Sequence, residues 1–276
     1  MNQRYIQDKF TIDELLRKSF NHKGSTEFIK FFNFISRFQH YSHYNTMLVY
    51  MQNDAVTFFG GTSFWRKKFN RTIKEDGRPY VILAPMGPVM LVYDVLDTVG
   101  IESPEEFLKK GLGNAPFEVK GKLDRFLYEE AIAQASHLGV KINFKEQSYF
   151  TGGFITNLVS GKLEIVLNKA ATMEESFSTL IHELAHLFLG HTGHKELNKI
   201  GSENKIRLLQ RKLSRTTQEL EAESVSFLVC KRLGLETRSA EYISGYIKND
   251  QDILNFSYEV VIKIADKIEG ILKLKS

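Results

Sequence analysis

The chain has 276 residues, 42% of them hydrophobic and 25% charged, with a formal net charge of +4 and one cysteine, Cys230. That length supports two modest domains or one large one, and the lone cysteine excludes an intrachain disulfide and the cysteine-rich zinc modules while fitting a reducing cytoplasm. The start of the chain lacks the apolar run of a signal peptide and no stretch of about 18 apolar residues occurs, so a soluble, cytoplasmic protein with no membrane partner is expected; the small positive charge permits a nucleic-acid partner without requiring one.

From Ser25 to about Gln52 the residues Phe28, Phe31, Phe32, Ile35, Phe38, Met47, Leu48 and Met51 recur at three- and four-residue steps, which predicts helix. Short strands follow at Val56 to Phe59, Tyr80 to Leu83 and Val89 to Tyr93, punctuated by Gly60, Gly61, Gly77, Pro85 and Pro88, so the first region reads as α+β. Pro104, Gly111, Gly113 and Pro116 fall where large apolar residues thin out and mark a boundary, which divides the chain into residues 1–110 and 118–276.

Helical periodicity returns from Asp124 to Leu138, Gly139 supplies a stop, and Val140 to Phe144 reads as a strand. Phe154 to Val159 and Lys162 to Leu167 form a predicted hairpin around Ser160 and Gly161. Thr172 with Glu175 three residues on is a capping-box signature, and Phe177, Leu180, Ile181, Leu184 and Phe188 mark the buried stripe of the helix it opens, which Gly190 ends. A basic, polar stretch from His194 to Arg215 precedes a helix from about Thr217 to Leu233, and two further helices fill Ser239 to Leu274.

The helix opened by Thr172 carries HELAH, with His182, Glu183 and His186. Residues four apart share a helix face, so His182 and His186 can offer imidazole nitrogens to one zinc ion while Glu183 sits beside it. Zinc held by imidazoles and a carboxylate keeps a water and lowers its pKa to about 7, and Glu183 can take the proton and pass it to a leaving amine. That is the chemistry of a zinc metallopeptidase acting on a protein or peptide.

A third protein ligand is required. The metzincin pattern wants glycine and histidine where Leu189 and Thr192 stand, and His191 and His194 follow Gly190 into a polar loop. Downstream, Glu219 and Glu223 share one helix face, so Glu219 can complete the sphere while Glu223 orients a ligand histidine; the alternative is a solvated acidic face near a helix N-terminus. Glu221 points about 200° away from Glu219. Tyr242 and Tyr246 are candidate phenolic donors or packing residues.

HELAH followed by Glu-x-x-Ala-acidic on a later helix resembles the gluzincin pattern of thermolysin-like and ImmA/IrrE-type peptidases, which implies that Glu219 is the third ligand. The segment FFNFISRFQHYSHYNTMLVYMQNDA, the single Trp65, the zinc motif, ELEAESVSFLV and EYISGYIKND resemble ArdC-type antirestriction proteins, which pair a single-strand-DNA-binding domain with a zincin domain. This implies an antirestriction role, a fold of helices packed on a short sheet in the second domain, and membership of Tyr41, Ser42 and Asn45 in a motif of the first. The chain departs from that family in lacking a proline between Asn53 and Phe64.

Trp65, Arg66, Lys67, Lys68, Phe69 and Arg71 interleave cations with aromatics, a combination suited to phosphates and stacked bases, and Tyr41 and Tyr44 add stacking surface; the alternative is a connector with solvated charges and a buried Trp65. Zincin folds resembling this one present an edge strand near the metal, and the residues from Gly161 to Leu167, with Leu163 and Ile165 among them, are the expected substrate strand. Two functions follow: a zinc peptidase directed to nucleic acid, or a non-catalytic DNA-binding antirestriction protein with the zincin domain as scaffold.

Overall fold

The computed structural model describes residues 11–19, 24–113, 121–146, 153–157, 163–201, 205–247 and 255–274. The chain divides into two compact units, Met1–Asn33 with Lys120–Ser276, and Phe34–Val119. This differs from a single cut near residue 110, because the first helical residues belong with the C-terminal ones. Mixed helices and small sheets make the architecture α+β.

Helix α1 (Ile12–Ser19) and the first part of α2 (Gly24–Ser36) belong to the larger unit. The Asp13 carboxylate accepts from Ser257 Oγ and the Glu259 amide, and Arg17 donates to the Phe256 carbonyl. On α2, Phe28, Phe31 and Phe32 pack against Tyr258, Phe32 stacked on its ring, and Phe28 and Phe32 meet Phe256 edge-on. Each such buried aromatic contributes about 1.5–3 kcal/mol. The helix expected from Ser25 to Gln52 is broken after Ser36, since Ser42 adopts extended backbone and its hydroxyl accepts from the Asn45 amide, opening a separate helix α3 (His43–Gln52).

The smaller unit continues with β1 (Phe59–Gly60), α4 (Thr62–Phe69), β2 (Thr72–Ile73), β3 (Pro79–Ile82), β4 (Met90–Asp94), β5 (Thr98–Val99) and α5 (Pro104–Gly113). Strands β1, β4 and β3 form an antiparallel sheet in that order, with Tyr80 opposite Val92 and Phe59 opposite Asp94. The edge of β3 is covered by side chains of α3. Asn45 exchanges two hydrogen bonds with the backbone of Leu83, and Gln52, two turns later, exchanges two with Val81. Two amides seven residues apart on a helix thus match alternate residues of a strand edge, where they blunt its capacity to pair.

The larger unit resumes with α6 (Arg125–His137), β6 (Val140–Lys145), β7 (Gly153–Asn157), β8 (Leu163–Asn168), α7 (Met173–Phe188), β9 (Glu196–Asn198), β10 (Lys205–Arg207), α8 (Arg215–Arg232), α9 (Ser239–Tyr246) and α10 (Tyr258–Ile271). Its sheet runs β6, β8, β7, with β8 parallel to β6 and antiparallel to β7. The predicted hairpin partners pair as β7 and β8, while Gly161 lies outside the described residues. The substrate-strand expectation needs correction. Leu163 and Ile165 sit on the central strand, every residue of β8 is buried, and both its edges are filled, so no further backbone can pair there. Among the described residues the edge strands are β6 and β7, and β7 is the one that lies on the side of His182 and Glu183.

Helix α7 packs on β7 and β8 and against α8, which also contacts α9 and α10. The basic stretch from His194 to Arg215, for which the sequence gives no element, holds the antiparallel pair β9 and β10. No described helix is long and apolar enough to cross a membrane.

Candidate metal centre

Helix α7 is fixed at both ends by local chemistry. Thr172 and Glu175 form a reciprocal capping box, and Leu189 and Gly190 close the other end, Gly190 at φ +80° with its α-carbon tight against the Leu209 carbonyl. Phe177, Leu180, Ile181, Leu184 and Phe188 are all buried, as expected of the stripe. The registration leaves His182 and His186 one turn apart on the opposite side, facing α8.

The His182 and His186 Nε2 atoms lie 3.1 Å apart, and each is 3.5 Å from Glu219 Oε2. These three donors form a cation-sized triangle. A tetrahedral zinc with Zn–N distances of about 2.0–2.1 Å would space its ligands by about 3.3 Å. The tautomers agree: His182 Nδ1 is 2.9 Å from Glu223 Oε2, and an ionised carboxylate only accepts, so His182 carries its proton on Nδ1 and keeps the Nε2 lone pair for a cation.

The electrostatics point the same way. Burial opposes a charge on His182, but hydrogen bonding to Glu219 and Glu223 outweighs it and pushes the pKa up to about 10. Glu219 is held well below the usual carboxylate range by its hydrogen bonds to His182 and His186. The pocket is built to hold positive charge. Glu183, 8% exposed, is pushed up by burial, which the two histidines and the Ile155 amide oppose.

A cleft of about 680 Å³ runs over this triangle, lined on one side by Gly153, Phe154, Ile155 and Thr156 of β7 and on the other by His194, Arg215 and Gln218. The edge strand and Glu183 therefore border one open space. Tyr246 is half-buried, its hydroxyl pushed up first by burial and then by Glu219 and Glu223, whereas Tyr242 is exposed.

Sequence reasoning placed His191 in a polar loop and turned Glu221 away from Glu219, but missed that the two join each other and Arg211. Glu221 is fully buried, bonded to Arg211 and to His191, which contacts His186. The signal was present: Glu221 stands four and seven residues before the buried Val225 and Leu228, on one apolar face.

The DNA-contact candidates separate. Trp65 is 0% exposed and donates Nε1–H to the Tyr93 carbonyl, and Arg71 is buried, bonding the Thr98 hydroxyl and carbonyl and the Glu102 carbonyl. Both are structural residues, a correction to their place among the DNA-contact candidates; for Trp65 it is the buried alternative that the structure matches. Asn45 is engaged at the β3 edge, and Tyr41 accepts from the Gly61 amide while burial pushes its hydroxyl up. Arg66, Lys67 and Lys68 are exposed on the last turns of α4, and Lys68 borders a cavity of about 240 Å³ lined by Phe38, His40, Tyr41, Phe59, Phe64 and Phe69.

No protein-family model matches the chain. It is 30% identical over 131 residues to an uncharacterized protein of Bacillus anthracis, a match that takes in 45% of this chain and 20% of that protein. The structure is also similar to a crystal structure of the antirestriction ArdC protein from the R388 plasmid, Mn(II)-bound, at a TM-score of 0.41 and 16% sequence identity over 84% of this chain and 83% of that one.

Proposed function

We propose that the larger unit is a zincin-like, gluzincin-type metallopeptidase that holds one zinc ion through His182, His186 and Glu219 and hydrolyses peptide bonds. The observation that carries this reading is the convergence of two imidazole nitrogens and a carboxylate oxygen beside the buried Glu183. Two nitrogens and one carboxylate suit zinc. When bound, the metal supplies Lewis acidity and an acidified water. Glu183 takes a proton from water in the cleft and returns it to the leaving amine, and burial, by raising its proton affinity, fits it to both tasks. The backbone of β7, from Gly153 to Thr156, lies along the cleft and is the strand on which an extended substrate would align.

Elemental analysis of the purified protein is expected to give one zinc per chain, and an unbiased peptide mixture is expected to be cleaved in a chelator-sensitive way. Glu183→Gln keeps the metal and cleaves at least about 100-fold more slowly. Equal cleavage by the two proteins sinks the hydrolase reading.

A second reading has its own observation. Exposed Arg66, Lys67 and Lys68 beside an aromatic-lined cavity suit a single-stranded DNA backbone with a base stacked nearby. The antirestriction role implied by the sequence resemblance belongs here, with the metal unit as scaffold. It predicts that Glu183→Gln retains the cellular effect.

A further inference from the structure

Gly190, in the left-handed region, turns the chain back at the end of α7, so that the His191 amide donates to the His186 carbonyl. The same reversal sets the two rings together: His186 Nδ1 and His191 Nδ1 are 3.0 Å apart, with ring centroids 5.1 Å apart. The far nitrogen of His191, Nε2, is 3.3 Å from Glu221 Oε2. Neither side chain is solvated, His191 being 2% and Glu221 0% exposed.

The direction of these bonds is fixed from the far end. Arg211 grips both oxygens of Glu221, and the Ser257 amide donates to Oε1 at 3.1 Å. Arg211 neutralises the carboxylate, which remains an acceptor only. His191 Nε2 must then donate, which leaves its Nδ1 as an acceptor facing His186. His186 Nδ1 therefore donates, and its Nε2 lone pair is left facing His182 Nε2 and Glu219 Oε2.

We propose that His191, anchored by the buried Glu221 and Arg211 pair, is the positioning residue that fixes the tautomer and ring orientation of His186, as Glu223 does for His182. This rests on the metal-site reading above and assigns a role to three residues outside the ligand set. Ligand histidines generally hand their second N–H to an acceptor, and loss of that acceptor weakens metal binding by about 10–100-fold. Here the acceptor is itself a histidine, so the carboxylate acts one ring removed.

The test is zinc affinity of the full chain by competition with a chromophoric chelator, together with the visible absorption of the Co(II)-loaded protein. His191→Phe keeps the buried volume and removes the acceptor; it is expected to bind zinc about 10–100-fold more weakly and to shift the Co(II) bands. His191→Asn presents an amide oxygen in place of Nδ1 and is expected to recover most of both. Glu219→Ala reports on the site itself. Wild-type binding that requires Glu219, combined with unchanged affinity and spectrum in His191→Phe, overturns the relay alone. Wild-type binding indifferent to Glu219 overturns the site and the relay with it.

Discussion

Glu223 Oε2 sits 2.9 Å from His182 Nδ1, on the side of the ring away from the nitrogen that meets Glu219. One helical turn of α8 therefore provides a carboxylate for the cation position and another for the ring that faces it. Separate consequences follow for the two glutamates. Glu219→Ala is expected to abolish stoichiometric zinc, whereas Glu223→Gln, which can still accept through its amide oxygen, binds with an affinity reduced by about 10–100-fold. Chelator competition distinguishes them, and equal losses in the two variants would contradict the division of roles.

Metal removal makes stability depend on pH. Without a cation, His182 is pushed up to about 10 from an ordinary 6.5, so the stability gained from its protonated form is complete below about 6.5 and is lost as pH rises towards 10. Glu219 is shifted downward, so its contribution is present above the ordinary carboxylate value and is lost as pH falls below it. The stripped protein is expected to show a Tm that declines from about pH 6.5 to 10, while the zinc-loaded protein, with a cation in the proton's place, holds its Tm over that window. Parallel profiles would argue against a shared cation position.

Exposed cations and buried aromatics of α4 predict opposite phenotypes. Reversing Lys67 and Lys68 to Glu leaves the folding stability nearly unchanged, within about 0.5 kcal/mol, and weakens any single-stranded DNA binding with a shallower salt dependence. Trp65→Ala instead costs about 3–5 kcal/mol through the cavity it opens and the lost bond to Tyr93. Thermal unfolding and fluorescence titration separate the two, and a Trp65→Ala protein of normal stability would refute the core assignment.

The attachment of α1 is testable as well. Asp13→Ala removes acceptors from Ser257 and Glu259 at the start of α10 and is expected to destabilise the larger unit by about 1–2 kcal/mol. Because Ser257 also donates to Glu221, a modest loss of zinc affinity accompanies it. Denaturant unfolding with metal titration measures both.

The two helix faces that meet at the triangle were legible because helical spacing converts sequence into geometry directly: four residues place His182 over His186, and four place Glu219 over Glu223, while their convergence was implied by the resemblance and not by spacing. The capping box at Thr172 was legible for the same reason. Contacts between distant segments were not. Nothing local marks β8 as the central strand, since a buried run reads alike at an edge or in the middle until its neighbours are known. The stretch from Trp65 to Arg71 read equally as a nucleic-acid surface or as a connector with a buried Trp65, because composition carries no information on which side of α4 faces the core. The break between α2 and α3 was signalled by Ser42 three residues before Asn45, a cap hidden within continuing apolar periodicity.

The bond between Asp13 and Ser257 joins positions 244 residues apart, and it has a temporal meaning during synthesis. At about 5–20 residues per second, α1 waits roughly 12–50 seconds for α10 to be made. The unit spanning Phe34–Val119 has all its residues well before then. The cation pocket, whose anchor Glu221 is tied to the same start of α10, is thus among the last parts to be completed, and a chain made only as far as Arg215 carries the histidines without the frame that aims them.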